Sequence, residues 1–163
     1  MIAVAGPYCG GKGVSYSQGK WFDQGISGWR SNSGGWSGDG CNGTYTSVPM
    51  SGAANKDDGN SVVWTFNLGK VSSCALAVYI PADGDVKKVG GNPTYYTVQS
   101  GSSSGSFSIN QTANRGRWVN QGTYPYHGSL SVTLHTRGLD WHDSTKTYAH
   151  HAASAIRATC TPS

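Results

Sequence analysis

The stretch "GSLSVTLHT", Gly128 to Thr136, constrains the fold more than any other part of the chain. Leu130, Val132 and Leu134 alternate with Ser129, Ser131, Thr133 and His135. Successive side chains of a strand point to opposite faces, so this period of two describes a strand with one apolar face and one polar face. "SVVWTFNLG" repeats the pattern, with Val62, Trp64, Phe66 and Leu68 on one face. "SCALAVYIP", "TYYTVQS", "GSFSINQT", "GRWVNQGTY" and "HAASAIRATC" add further strand-like runs, separated by turns that carry Gly and Asn. Short half-buried strands at about 8–12-residue spacing predict an all-β chain, folded as an antiparallel β-sandwich of jelly-roll type.

Composition agrees. The 163 residues include 24 Gly, six Trp and nine Tyr but three Phe, two Met and no Glu. Helix interiors draw on Ala, Leu, Glu, Lys, Gln and Arg, most of which are scarce here, whereas Val, Thr, Tyr and Trp favour strands. The length predicts a single domain over 1–163, large enough to bury roughly 70% of its unfolded surface. Within it, residues 1–55 read as a Gly/Ser/Trp-rich segment packed on a sandwich core formed by 56–163, with Trp21, Trp29 and Trp36 spaced by eight and seven. That spacing fits neither a helical nor a strand period, and Gly/Ser linkers rarely carry Trp, so folded loops and short strands are expected.

The four cysteines form no C-x-x-C pair. Cys74 shares a face with Leu76, Val78 and Ile80, and Cys160 shares one with Ser154, Ile156 and Ala158. Both thiols point with apolar neighbours, as in a bridge buried between strands, which leaves Cys9 with Cys41. Of three possible connectivities, Cys74–Cys160 and Cys9–Cys41 is the predicted one. Disulfides imply an oxidising compartment, hence a secreted or extracellular protein. The opening "MIAVAGPYCGG" lacks the basic start of a signal peptide. No apolar run approaches the ~20 residues of a membrane span. The net charge of +4 is scattered, without the basic stripe of a nucleic-acid binder, so neither a membrane span nor a nucleic-acid partner is expected.

Tyr96 and Val98, Asn110 and Gln111, Gly116 and Trp118, Gly122 and Tyr124, then Ala153, Ala155, Ile156 and Arg157 follow one another in a recognisable order. Over about residues 62–160 the chain resembles the golvesin/xanthan-lyase carbohydrate-binding-like domain. Gln121 and Ser154 depart from that family's usual apolar residue and Asp. The resemblance implies a β-sandwich accessory module of secreted bacterial proteins, often found beside degradative enzymes, and it implies that Trp118 packs in the core.

Trp and Tyr combine a flat apolar face with a polar handle, which suits stacking on pyranose rings. Trp29, Trp36, Tyr45, Trp141 and Tyr148 lie in loop-like context, with Asn32, Asp39, Asn42, Arg137 and Asp140 nearby in sequence. Tyr124 and Tyr126 flank Pro125 and join the candidates, although core plugging explains the same rings. "NKDDGN" and "SGDGCNG" make Asp39, Asp57 and Asp58 candidate ligands of a structural calcium; Asx-turns account for them without metal, and no other cofactor is expected. His135, His142, His150 and His151, with Asp140 and Asp143, invite a zinc reading. Adjacent His150 and His151 on one strand would face opposite ways, which argues against it.

A glycosidase built from this chain would have to use Asp for both carboxylates. No G-x-S-x-G elbow, H-E-x-x-H or P-loop occurs. The leading expectation is therefore a non-catalytic module that binds a polysaccharide or cell-surface glycan, in adhesion or enzyme targeting. A protein-interaction module of an extracellular assembly is the alternative, and a cell-wall polymer hydrolase the third reading.

Overall fold

The computed structural model describes residues 1–163 and holds fourteen strands with one 3-10 turn. The first half contains β1 (Ile2–Ala5), β2 (Val14–Gln18), β3 (Arg30–Gly38), β4 (Cys41–Pro49), β5 (Ser61–Phe66), β6 (Val71–Ile80) and β7 (Thr94–Ser100). The second contains β8 (Ser103–Ile109), the 3-10 turn (Gln111–Ala113), β9 (Arg117–Pro125), β10 (Leu130–His135), β11 (Trp141–His142), β12 (Thr145–Lys146), β13 (His150–Ala153) and β14 (Ile156–Pro162). Two antiparallel sheets face each other across the core: β1-β14-β6-β9 and β2-β5-β10-β7-β8. A third sheet, β13-β4-β3, adds Tyr45, Val48, Ala152 and Ala153 to the same core, and β11–β12 is a small hairpin.

The alternation in sequence becomes burial in space. Val62, Trp64 and Phe66 of β5 and Leu130, Val132 and Leu134 of β10 are buried, directly opposite one another in register. Cys74, Leu76, Val78 and Ile80 of β6 meet Ile156, Ala158 and Cys160 of β14, and Cys74 pairs with Cys160 both in register and as a disulfide. Cys9–Cys41 is the second bridge. Trp64 sits at the centre, edge-on to Tyr16 at 5.6 Å, and its indole N–H donates to the Ser154 carbonyl at 2.9 Å.

Two expectations change. The first 55 residues are no appendage: β1 completes the four-stranded sheet beside β14, and β2 completes the five-stranded sheet beside β5. The run "HAASAIRATC" is two strands, not one. It breaks at Ser154–Ala155, so β13 joins the third sheet and β14 the four-stranded one.

Trp118 is the clearest correction. β9 carries one extra residue against β6, since Asn120 pairs with Ala77 but Thr123 pairs with Ala75. This bulge, with Gly122 at φ 83°, reverses the in–out phase along the strand. Tyr124 therefore faces inward with Cys74, while Trp118 lies opposite Tyr79 on the outer face, half-buried.

Candidate functional site

One end of the sandwich gathers the loops that follow β2, β4 and β10 and that precede β7 and β13. Past β10, Arg137 turns its guanidinium onto Asp57, with Nε 3.2 Å from Oδ1 and Nη2 3.1 Å from Oδ2. Its backbone N–H donates to the same carboxylate at 3.1 Å. The Arg137 donors hold Asp57 at a pKa of about 2, with a smaller contribution from His135, and Asp57 in turn keeps Arg137 more firmly charged. The guanidinium also lies over the Tyr95 ring, 4.4 Å from its centroid.

His135 Nδ1 faces Asp57 at 3.0 Å and its Nε2 faces the Thr97 hydroxyl at 2.8 Å. Hydroxyl, imidazole and carboxylate thus stand in the order of a nucleophilic triad. Thr97, however, lies mid-strand, paired with Thr133 on one side and Ser106 on the other. The strand's backbone donors are consumed by the ladder there, so the geometry provides no oxyanion hole.

The next group is the β11–β12 hairpin. Trp141 and Lys146 are cross-strand partners. The Lys146 ammonium lies 5.4 Å from the Trp141 ring centroid, 5.5 Å from that of Tyr148 and 3.2 Å from Asp140 Oδ2. Asp140 is only 7% exposed and anchors the hairpin from below, whereas Trp141 is 49% exposed and outward. Asp143, at positive φ, forms the turn between β11 and β12, and Tyr148, also at positive φ, follows the hairpin.

A buried polar network supports these loops. Gln111 donates to the Tyr96 hydroxyl at 3.1 Å and the Ala152 carbonyl at 2.9 Å, and accepts from the Ala152 N–H at 2.8 Å. His151 Nδ1 accepts from the Thr94 hydroxyl at 2.7 Å, and Nε2–H donates to the Arg137 carbonyl at 2.9 Å. Burial pushes the His151 pKa down to about 4, so the ring is neutral at physiological pH. Gly138 is required above it, because a Cβ there would stand 2.8 Å from Met50 Sδ and 3.0 Å from His151 Nε2. Between these loops opens a cleft of about 220 Å³, lined by Met50, Asn92, Pro93, Arg137 and Leu139 among others.

Of the expected residues, Asp140, Trp141 and Tyr148 meet around Lys146, while Arg137 belongs to a separate group with Asp57, His135 and Tyr95. Tyr95 joins the Arg137 group and Lys146 the Trp141 group, and sequence reading missed both; the signal for Lys146 was its place in the same loop. Other candidates fall elsewhere. Trp29, Tyr45 and Tyr126 are buried in the core, where Tyr126 accepts from the Leu68 N–H at 2.8 Å and donates to the Gly128 carbonyl at 2.9 Å. A ring with no open face cannot stack on a sugar, which removes these three. Tyr124 is half-buried against Gly105, where any Cβ would meet its ring.

The calcium candidates do not converge. Asp39 accepts from the Trp36 indole N–H at 3.1 Å, Asp58 accepts from Asn60 and Thr136 at 2.9 Å each, and Asp57 serves Arg137 and His135. His150 and His151 are both buried on opposite faces of β13, with His150 Nε2 at 2.8 Å from the Gly28 carbonyl.

No family model matches the sequence, and no curated protein matches it. Among solved structures, the chain is similar to part of a Paenibacillus xanthan lyase, with a TM-score of 0.64 and 16% identity over 99% of this chain. It spans 13% of that lyase's length. At this identity the likeness is one of fold. A CBM4 structure (TM-score 0.38, 13% identity, 92% of this chain and 86% of the other) resembles it only loosely. So does a Phanerochaete chrysosporium exo-β-1,3-galactanase with galactose (0.33, 17%, 80% and 29%).

Proposed function

We propose that the chain is a non-catalytic carbohydrate-binding module of a secreted protein, and that it recognises polysaccharide at the loop end of the sandwich. The observation that carries this reading is Trp141. A large indole stands half-exposed on a small hairpin, with Lys146 and Tyr148 beside it, a buried Asp140 beneath, and the Arg137–Tyr95 stack in the adjoining loop. The indole face takes the apolar face of a pyranose, while Lys146, Arg137 and Asn92 offer donors to its hydroxyls. Arg137 and Lys146 already carry carboxylate partners, so the favoured ligand here is a neutral glycan. Two formed disulfides fit an extracellular setting. The shared fold with part of a xanthan lyase fits an accessory role.

Affinity electrophoresis against a panel of neutral polysaccharides tests the reading. Retardation by one polymer class is expected. Trp141→Ala weakens it about tenfold, a loss in the range of one aromatic contact, and leaves the melting temperature within about a degree. Equal retardation of Trp141→Ala and wild type by every polymer that binds removes the site.

A second reading rests on the loop after β2, where Trp21, Phe22 and Ile26 stand exposed together. Exposed apolar clusters mark protein contacts, so absence of retardation by any glycan directs the search to a protein partner on this loop.

A further inference from the structure

The outer face of the four-stranded sheet carries a second aromatic group, remote in sequence from the loop platform. Tyr79 of β6 and Trp118 of β9 are cross-strand partners, with ring centroids 5.4 Å apart. Trp36 reaches them from β3, 5.3 Å from Tyr79 and 5.0 Å from Trp118. A register shift between Ser33 and Ser37 re-aims Trp36 out of its own sheet, and its backbone N–H is tied to Ser154 Oγ at 3.2 Å. Gly35 permits this approach, since a Cβ there would lie 3.0 Å from both Ser154 Oγ and the Thr44 carbonyl. Ala77, on the same face of β6 as Tyr79 and opposite Arg157 and Asn120, is only 3% exposed. All three rings remain half-exposed themselves.

Arg157 of β14 completes the group, its guanidinium 4.5 Å from the Trp118 ring centroid. It differs from the other stacked guanidinium of the molecule, because Arg157 has neither an ion pair nor a side-chain hydrogen bond, whereas Arg137 has Asp57. Asp39 accepts from the Trp36 indole N–H at 3.1 Å and forms no ion pair with Arg157. A guanidinium offers five donors in a planar fork that matches a carboxylate. Held over an indole and left without a charged partner, that fork is preset for an anion beside an aromatic surface.

We infer that Trp36, Tyr79, Trp118 and Arg157 form a second glycan site, specific for a uronate: a pyranose whose apolar face lies on the rings and whose carboxylate is taken by Arg157. This site is independent of the Trp141 platform and stands or falls without it.

The test compares polygalacturonate with its fully methyl-esterified form, which keeps the ring and loses the charge. Affinity electrophoresis and quenching of Trp fluorescence are read for wild type, Arg157→Gln, Arg157→Lys and Lys70→Gln, the last removing one positive charge elsewhere. The acid polymer is expected to bind wild type and the ester not to. Arg157→Gln weakens binding about tenfold or more, as for loss of a charge-assisted hydrogen-bonded pair. Arg157→Lys falls between, and Lys70→Gln changes it less than twofold. If Arg157→Gln folds poorly, the acid–ester contrast on wild type still decides. Equal binding of acid and ester, no binding of the acid, or an Arg157→Gln affinity equal to that of Lys70→Gln overturns the inference.

Discussion

The loop platform and the sheet-face cluster use the same residue types and differ in where their charge goes. At the loops each cation is answered within the protein: Arg137 by Asp57 and Lys146 by Asp140. On the sheet face Arg157 has only the Trp118 ring. The difference follows from the backbone beneath each. Loops have no ladder to hold them, so ion pairs and the buried Gln111–His151 network must fix their shape. A side chain on β14 is positioned by pairing on both sides, with β1 and with β6. Its guanidinium is therefore not needed for structure and remains available to a ligand.

The largest effect that separates the two regions comes from Gln111→Ala. The substitution leaves the Ala152 N–H, the Ala152 carbonyl and the Tyr96 hydroxyl without their buried partner. Stranding several buried polar groups costs about 3–5 kcal/mol. In denaturant unfolding the midpoint falls steeply, and neutral-glycan binding at the loop end is lost before the fold is. A midpoint shift below that of an ordinary surface substitution contradicts the support assigned to this network.

Acid produces the next largest effect, in two separate windows. His151 has an ordinary pKa near 6.5 when unfolded and about 4 when folded, so the fold favours its neutral form. Its contribution is complete above pH 6.5 and shrinks as pH falls toward 4, by roughly 3 kcal/mol in all. Asp57 acts lower: its folded pKa of about 2 lies below the usual 3.8, so its contribution is complete above 3.8 and disappears as pH falls through 2. Melting temperature measured from pH 7 to pH 4 should decline, and His151→Gln should flatten that decline. Retention of the full slope in the variant assigns it to other groups.

Much of this architecture is legible in sequence because the strands that form the core are regular. Leu130, Val132 and Leu134, or Cys74 to Ile80, keep one phase from end to end, so faces and the Cys74–Cys160 bridge follow from counting by two, and Cys9–Cys41 from elimination. Single members of the aromatic groups, Trp36, Trp141 and Tyr148, are legible from loop context, but not which rings come together, because they sit where regularity is broken. The bulge in β9 moves Trp118 from the inner to the outer face, and Trp36 lies within the irregular stretch of β3 where pairing is interrupted. Trp29, seven residues earlier in the same Gly-rich segment, goes into the core. Nothing in local spacing separates these two tryptophans. The pairings that define the sites, Arg137 with Asp57 across 80 residues and Trp36 with Trp118, are long-range and depend on the assembled sheets.

Salt gives the smallest effect and the sharpest contrast. A charge on a half-exposed sheet face attracts a carboxylate through solvent, and that attraction is screened as the Debye length shortens from about 10 Å at 0.1 M to about 3 Å at 1 M. The uronate affinity at Arg157 should therefore fall severalfold over this range. Binding of a neutral glycan at Trp141 involves no new ion pair, because Arg137 and Lys146 keep their carboxylates in free and bound states alike. Its affinity should change by less than twofold. Parallel titrations of one acid and one neutral polymer across the salt series measure both. A shared salt slope would mean that the two regions hold their ligands by the same forces, and that the unpartnered state of Arg157 has no functional consequence.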